Sequence, residues 1–303
     1  MTILEVCSKY SADDRCRELL ARLRWESGPI CPRCKGAKIK PLSDKIFWCA
    51  GCEYQFSVTA GTIFHDSHLP LLKWFAAVYL MCESKKGMSA LQMKRMLGVS
   101  YKTAWYLCHR IRHSMQMLGH DLLTGTVEMD ETYVGGVQRG KGRGPHSSEK
   151  EIVIGIRQRG GDLRLFHSQD AKSGTLAKFI RENISTTVSV IITDDASAYP
   201  PAVAADPLFG DYRGKHRTVK HSAGVYVDGD IHTNTVESAF SLLKRGIMGT
   251  WHRISVKHLA AYLDEMAFRF NRRNTTDLFE DTLRHMVRTD PLTFARLTVE
   301  SSK

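Results

Sequence analysis

Two pairs of cysteines constrain this chain more than any other feature. Cys31-Pro-Arg-Cys34 and Cys49-Ala-Gly-Cys52 are separated by 14 residues. Two thiolates three positions apart on a tight turn grip one face of a tetrahedral ion, and a second such turn closes the other face. The intervening Ile39-Lys-Pro-Leu-Ser-Asp-Lys-Ile-Phe-Trp-Cys49 reads as a short hairpin, and Tyr54 and Phe56 alternate after it as a strand does. This spacing is that of a zinc ribbon. Four Cys ligands leave no open coordination position, so the one Zn²⁺ is expected to be structural. Two disulfides are the competing reading, which an intracellular setting disfavours. The other four of the eight cysteines (Cys7, Cys16, Cys82 and Cys108) are scattered and read as ordinary core or surface residues.

With 303 residues, 43% hydrophobic and 25% charged, the chain is neither disordered nor a coiled coil. The longest apolar run, Trp74 to Cys82, has nine residues. A membrane helix needs roughly 20. The N-terminus lacks a basic patch followed by an apolar core, so no signal peptide is expected. A cytoplasmic protein with no membrane partner follows. The formal charge is +11, and a basic balance points to a polyanion, most simply nucleic acid. The charge is uneven: residues 1–121 carry 18 Lys/Arg against 10 Asp/Glu, and residues 122–303 carry 25 against 22. The basic excess therefore sits early, and the later acids are free for other work. Basic stretches at 139–143 and 213–220 are candidate DNA tracks.

Ser11 reads as the N-cap of a helix with Asp13 and Asp14 in its first turn. After the ribbon, residues 69–83 read as an apolar helix. Ser89 then caps a helix to about Met96, Gly98 breaks it, and Ser100 caps a second helix to about Met115. Leu91, Met96, Val99, Ala104 and Leu107 are the expected shared core. Tyr101, Lys102, Thr103, His109, Arg110 and Arg112 are the expected exposed face. Two helices around a glycine-containing turn, with a basic face, form the pattern of a DNA-binding helix-turn-helix. A plain helical hairpin is the alternative. Lys102, Arg110 and Arg112 are the expected DNA-binding residues of this module.

From residue 122 the pattern changes. Thr126 to Tyr133 alternates as a strand and ends at Gly135-Gly136. Residues 152–156 and 163–167 read as two more strands, 174–183 as a helix, and 188–193 as a buried strand with Asp194 at its end. Residues 217–221 are a candidate short strand. Residues 233–245 read as a helix carrying Glu237, and 255–273 as a long helix with Leu259, Leu263, Met266 and Phe270 on one face. Three strands, a helix, a parallel strand, then helices is the order of a ribonuclease-H-like α/β domain. In that fold the first and fourth strands are neighbours, so Asp130 and Asp194 meet and Glu237 closes the site. Hard carboxylate oxygens suit Mg²⁺ or Mn²⁺. Two such ions activate the attacking oxygen and stabilise the leaving one in phosphodiester displacement. Each acid also has a bland reading: a strand-edge charge for Asp130, a turn residue for Asp194, a solvated helix residue for Glu237.

These residues carry a resemblance. CPRC…CAGC, SVTAGTIF, GVSYKTAW, MDETYVGG, ITDDASAY, HTNTVES and LLKRGIMGTWHRIS together resemble a bacterial insertion-sequence transposase of the DDE type. The branch is the one with an N-terminal zinc ribbon and an ISXO-like catalytic domain, kin to the Merlin elements. The resemblance covers nearly the whole chain. It implies that Asp130 and Asp194 are catalytic metal-binding carboxylates with Glu237 as the third ligand. Asn234, one turn before Glu237, stands beside it, because part of the branch carries Asn at the third position. Lys244, seven residues after Glu237, and Arg245 are implied to contact DNA phosphate. Tyr133, Tyr199 and His232 match motif positions with supporting roles. The resemblance further implies double-stranded DNA (transposon ends and target) as partner, and a homodimer or higher homo-oligomer.

The expected architecture is α+β and multidomain: an N-terminal helix (1–25), a zinc ribbon (26–66), a helix-turn-helix region (67–120), a ribonuclease-H-like catalytic domain (121–275) and a C-terminal tail (276–303). Two rivals stay open: a zinc-ribbon regulator that binds DNA without cutting it, and a metal-dependent nuclease without strand transfer.

Overall fold

The computed structural model describes residues 1–117, 119, 121–135, 150–204, 212, 214–219 and 229–299. The basic stretch 139–143 lies outside the described residues, as do Gly136, Arg213 and residues 220–221. The chain forms two units: Met1–Gln116 with Arg272–Lys303, and Met117–Asn271.

The first unit begins with two helices, α1 (Ile3–Lys9) and α2 (Asp13–Arg24), rather than the single N-terminal helix expected. Thr2 and Glu5 cap α1 reciprocally. The N-cap of α2 is Ala12 and not Ser11, and its side chain accepts nothing. Asp13 instead accepts from Arg17 (2.9 Å) and from the amide of Leu71 (3.3 Å), which ties the helix start to the next element. Strands β1 (Ile39–Pro41), β2 (Phe47–Cys49) and β3 (Gln55–Phe56) form an antiparallel sheet in that order. Trp25 packs edge-on to Phe47 (5.3 Å) and Phe56 (6.3 Å), so the end of α2 covers the sheet.

Helix α3 (Leu71–Glu83) is followed by α4 (Ala90–Leu97) and α5 (Tyr101–Ser114). Ser89 and Ser100 cap these last two by accepting from the amides of Gln92 and Thr103. Gly98 ends α4 at φ 61°, where a Cβ is strained, so the sharp turn needs glycine. The segment expected as a C-terminal tail is instead helical, α10 (Leu278–Arg288) and α11 (Phe294–Thr298), and belongs to this unit. Its apolar positions Phe279, Leu283, Met286 and Val287 are buried, which explains why it docks. Phe279 packs edge-on to Phe75 (5.7 Å), and Phe75 packs on Tyr10 (5.1 Å).

The α4–α5 pair corrects several expectations. Leu91 and Met96 are 49% and 53% exposed, and Met93 is the α4 residue that turns inward. Ala104 and Leu107 are buried as expected. His109, Arg110 and Arg112 are not on an exposed face: Arg110 is 3% and Arg112 1% exposed. Helix α5 packs against α3, α4 and α10, so its second half has no solvent side. Arg110 Nη2 donates to the carbonyl of His65 (2.6 Å), and its guanidinium lies over Trp74 (4.9 Å) and Tyr106 (5.2 Å). Arg112 Nη2 donates to the carbonyl of Met88 (3.3 Å).

In the second unit β4 (Thr126–Val134), β5 (Glu151–Gln158) and β6 (Leu163–Ser168) form an antiparallel meander. Strand β7 (Val190–Asp194) runs parallel to β4, and β8 (His216–Val219) parallel to β7. The sheet order is β6-β5-β4-β7-β8. Side chains alternate across it. Val127, Met129, Ile154 and Ile156 share one core with α6 (Ser173–Asn183) and α7 (Tyr199–Val203). Val153, Leu163 and Leu165 share the other with α8 (Asn234–Gly246) and α9 (Val256–Asn271). Alternation therefore sends Glu128 and Asp130 toward α8. Gly155, the cross-strand partner of Asp130, lets α8 approach closely. A Cβ there would stand 2.7 Å from Phe240 Cζ and 2.8 Å from Val236 Cγ2. A π-helical turn, Ile247–Trp251, links α8 to α9.

Candidate active site

The four ribbon cysteines come together. Their Sγ atoms all lie within 4.8 Å of one another, with Cys31–Cys52 at 3.6 Å and Cys34–Cys49 at 3.5 Å. No disulfide joins them. The two knuckles share one backbone plan. The amide of Lys35 donates to the carbonyl of Cys31 (3.0 Å), and that of Glu53 to Cys49 (2.8 Å). Cys31 N donates to Gly36 O and Cys49 N to Tyr54 O, both at 3.0 Å. Lys35 and Glu53 stand at φ 60° and 55°, the left-handed turn that folds each pair of thiols toward the same point. Burial opposes ionisation of Cys31, but the amides of Cys34 and Arg33 and the neighbouring thiols outweigh it and bring its pKa down to about 7. Four soft thiolates at this spacing fit a structural Zn²⁺.

The second unit gathers acids. Strands β4 and β7 pair in parallel with Glu128 opposite Ile192. Two residues further along each strand stand Asp130 and Asp194, so the two aspartates lie at one level of the sheet. Glu237 lies in the first turn of α8 and accepts from the Thr233 hydroxyl (2.7 Å). Asp130 Oδ1 accepts from the amide of Glu131 (2.8 Å), and Asp194 Oδ1 from that of Ala196 (3.1 Å). Burial, then the charges of Glu131, Asp194 and Glu237, push the Asp130 carboxyl up to about 8. The charges of Asp194 and Glu237 thus act on Asp130. Among the described residues only the four cysteines bring three or more ligand atoms within 4.8 Å of one another, so the three carboxylates do not all lie within that distance of one another. Carboxylate oxygens are hard donors of the kind divalent cations such as Mg²⁺ take.

Asn234 is exposed at the first position of α8. Lys244 and Arg245 are exposed in its last turn, where cations also suit the helix dipole. Lys102 is exposed in the first turn of α5, its Nζ 4.5 Å from the Phe294 ring centroid. Tyr199 is buried and donates from its hydroxyl to Glu131, whose pKa is raised by burial against that bond.

Sequence reading missed Glu128, Arg159 and Gly155. Glu128 is fully buried on the α8 side. It accepts from Arg159 Nε (2.7 Å), from the amides of Thr235 (2.9 Å) and Val236 (3.1 Å), and from the Thr235 hydroxyl (2.7 Å). The signal was available, because residues two apart on a strand share a face and Glu128 must point where Asp130 points.

A mixed α/β domain that gathers carboxylates, in a chain with a four-cysteine metal site, defines a class of metal-binding protein. Comparison with known proteins narrows it. Residues 122–271 match the family described as the ISXO2-like transposase domain, and residues 11–55 match the transposase zinc-ribbon domain. A relative described as an uncharacterized protein in transposable element ISH50, from Halobacterium salinarum, is 30% identical over 283 residues, covering 87% of this chain and 92% of its own. The crystal structure of the Mos1 strand transfer complex aligns with 71% of this chain and 75% of its own, at 12% identity and a TM-score of 0.32, too low to transfer fold or function. The chain belongs to the IS1595 family of transposases. No helix among the described residues is long and apolar enough to cross a membrane.

Proposed function

We propose that this transposase binds the inverted repeats of an insertion sequence and carries out metal-dependent strand cleavage followed by strand transfer. The observation that carries the reading is the parallel pairing of β4 and β7, which puts Asp130 and Asp194 at one level, with Glu237 near enough for its charge to raise the Asp130 carboxyl. The strand order and the antiparallel meander followed by parallel strands support a ribonuclease-H-like domain.

Asp130, Asp194 and Glu237 would hold two Mg²⁺ or Mn²⁺ ions, with Asn234 beside Glu237. The ions, when bound, supply charge that lowers the pKa of the attacking oxygen and stabilises the leaving one. Asp130, whose carboxyl burial and the neighbouring acids push up to about 8, would give up its proton on holding a cation. Water then attacks the phosphodiester at the element end and frees a 3′-hydroxyl. That hydroxyl attacks target DNA in the same site, one phosphodiester breaking as another forms. Lys244 and Arg245 contact DNA phosphate. The capped α4–turn–α5 pair acts as a helix-turn-helix whose exposed first turn, with Lys102, meets the DNA beside the zinc ribbon; Arg110 and Arg112 serve its core. Pairing of two ends requires a homodimer or higher homo-oligomer, working in the bacterial cytoplasm.

Labelled end DNA incubated with a plasmid target tests the reading. Joined product supports it, nicks alone mean a nuclease without transfer, and binding without any product means a regulator. Asp130→Asn and Asp194→Asn should bind end DNA and cut none of it. Full cleavage by both would overturn the assignment.

A further inference from the structure

Glu128 is a fully buried carboxylate two residues before Asp130 on the same face of β4. Its two oxygens divide their work. Oε2 takes the amides of Thr235 and Val236 and the Thr235 hydroxyl, at 2.9, 3.1 and 2.7 Å. These are free amides of the first turn of α8, so Glu128 caps that helix from the sheet. Oε1 takes Arg159 Nε at 2.7 Å. Arg159 in turn donates to the carbonyls of Asp230 (2.6 Å) and His232 (2.9 Å), holding the segment that leads into the helix. The N-cap residue of α8, Thr233, makes no side-chain cap of its own, because its hydroxyl donates to Glu237. The helix start therefore depends on Glu128 for a cap.

From this geometry we propose that Glu128, clamped by Arg159, is a positioning residue for the candidate metal site. It fixes the first turn of α8 against β4 and so sets where Glu237 stands relative to Asp130. The two acids on this face of β4 divide the work: Asp130 faces the metals, and Glu128 holds the helix that brings the third carboxylate. Buried polar groups behind a metal site commonly change affinity or activity by about 10–100-fold when altered. The inference rests on the reading of Asp130, Asp194 and Glu237 as metal-binding carboxylates.

The test is Mn²⁺ binding by the zinc-loaded full-length protein, followed by electron paramagnetic resonance of free Mn²⁺, for wild type, Asp130→Asn and Glu128→Gln. Thermal melts of each protein confirm folding at the titration temperature. Glu128→Gln keeps the volume but replaces one acceptor oxygen with an NH2 donor that faces donors. It should raise the Mn²⁺ dissociation constant by about 10–100-fold in a protein that is still folded. A purely structural role would lower the melting temperature and leave Mn²⁺ affinity in the folded state unchanged. Should Glu128→Gln fail to fold, Thr235→Val removes one donor at constant volume and should weaken Mn²⁺ by about 3–10-fold, a fraction of the full effect. Wild-type affinity within twofold in a folded Glu128→Gln, or in Thr235→Val where that variant stands in, overturns the inference while Asp130→Asn still loses the metal. A wild type that binds no Mn²⁺, or an Asp130→Asn that binds it normally, overturns the site reading and this inference with it.

Discussion

Replacing Gly155 with alanine measures how tightly α8 must sit on the sheet. In a strand interior, alanine is favoured over glycine by about 0.5–1 kcal/mol, because it loses less freedom on folding. Against this, the added Cβ would lie 2.7 Å from Phe240 Cζ and 2.8 Å from Val236 Cγ2. The Phe240 ring is buried in the α8 core and Val236 is short and close to the helix axis, so neither can swing clear alone. Helix α8 must lift, and overpacking of this kind costs about 1–3 kcal/mol. The clash wins, for a net loss of about 1–2 kcal/mol, or a fall of about 2–8 °C in the melting of the second unit. Because Gly155 pairs with Asp130, the same lift carries Glu237 away from that carboxylate. Mn²⁺ affinity should therefore fall together with stability. Scanning calorimetry and metal titration of Gly155→Ala read both effects, and Phe240→Leu added to it should restore part of each. A Gly155→Ala protein that melts at or above wild type would refute the claim that this contact sets the helix position.

Other expectations follow from the same geometry. The Asp130 carboxyl rises from 3.8 to about 8 in the folded protein, so its ionisation opposes folding above pH 4. Metal-free Asp130→Asn should then be more stable than wild type by up to about 4 kcal/mol at pH 7, the gain vanishing near pH 4 and levelling above pH 8; a gain independent of pH in chemical denaturation would contradict this. Cys34→Ala should abolish stoichiometric Zn²⁺ in metal analysis, and chelation of the wild type should unfold the ribbon. Arg110→Met should cost about 1–3 kcal/mol of stability for the stranded His65 carbonyl, read as a lower melting temperature. Lys102→Ala should leave the melt alone, weaken DNA binding and reduce the salt slope by about one; a selective DNA defect in Arg110→Met would place its guanidinium at the surface after all.

The ribbon was legible in full because its chemistry is local. Two Cys-X-X-Cys turns at 14-residue spacing specify a tetrahedral thiolate site whatever surrounds them, and the cysteines meet as the spacing required. Serine caps and Gly98 likewise marked α4 and α5, since capping and positive φ are set within a few residues. The period-two pattern of β4 and the buried run ending at Asp194 gave the elements that carry the acids.

What the sequence could not decide was which side chains are exposed and which elements touch. Arg110 and Arg112 read as a basic surface, yet the carbonyls of His65 and Met88 accept from them in the core, and the Trp74 and Tyr106 rings lie against Arg110. Residues 276–303 read as a tail, yet their apolar face completes the first unit. Glu128 went unread beside Asp130, yet it caps a helix more than a hundred residues later. Local signals fix turns, caps and metal knuckles because their energies arise between near neighbours. Burial of a charge and the choice of its partner depend on contacts that only the folded chain creates.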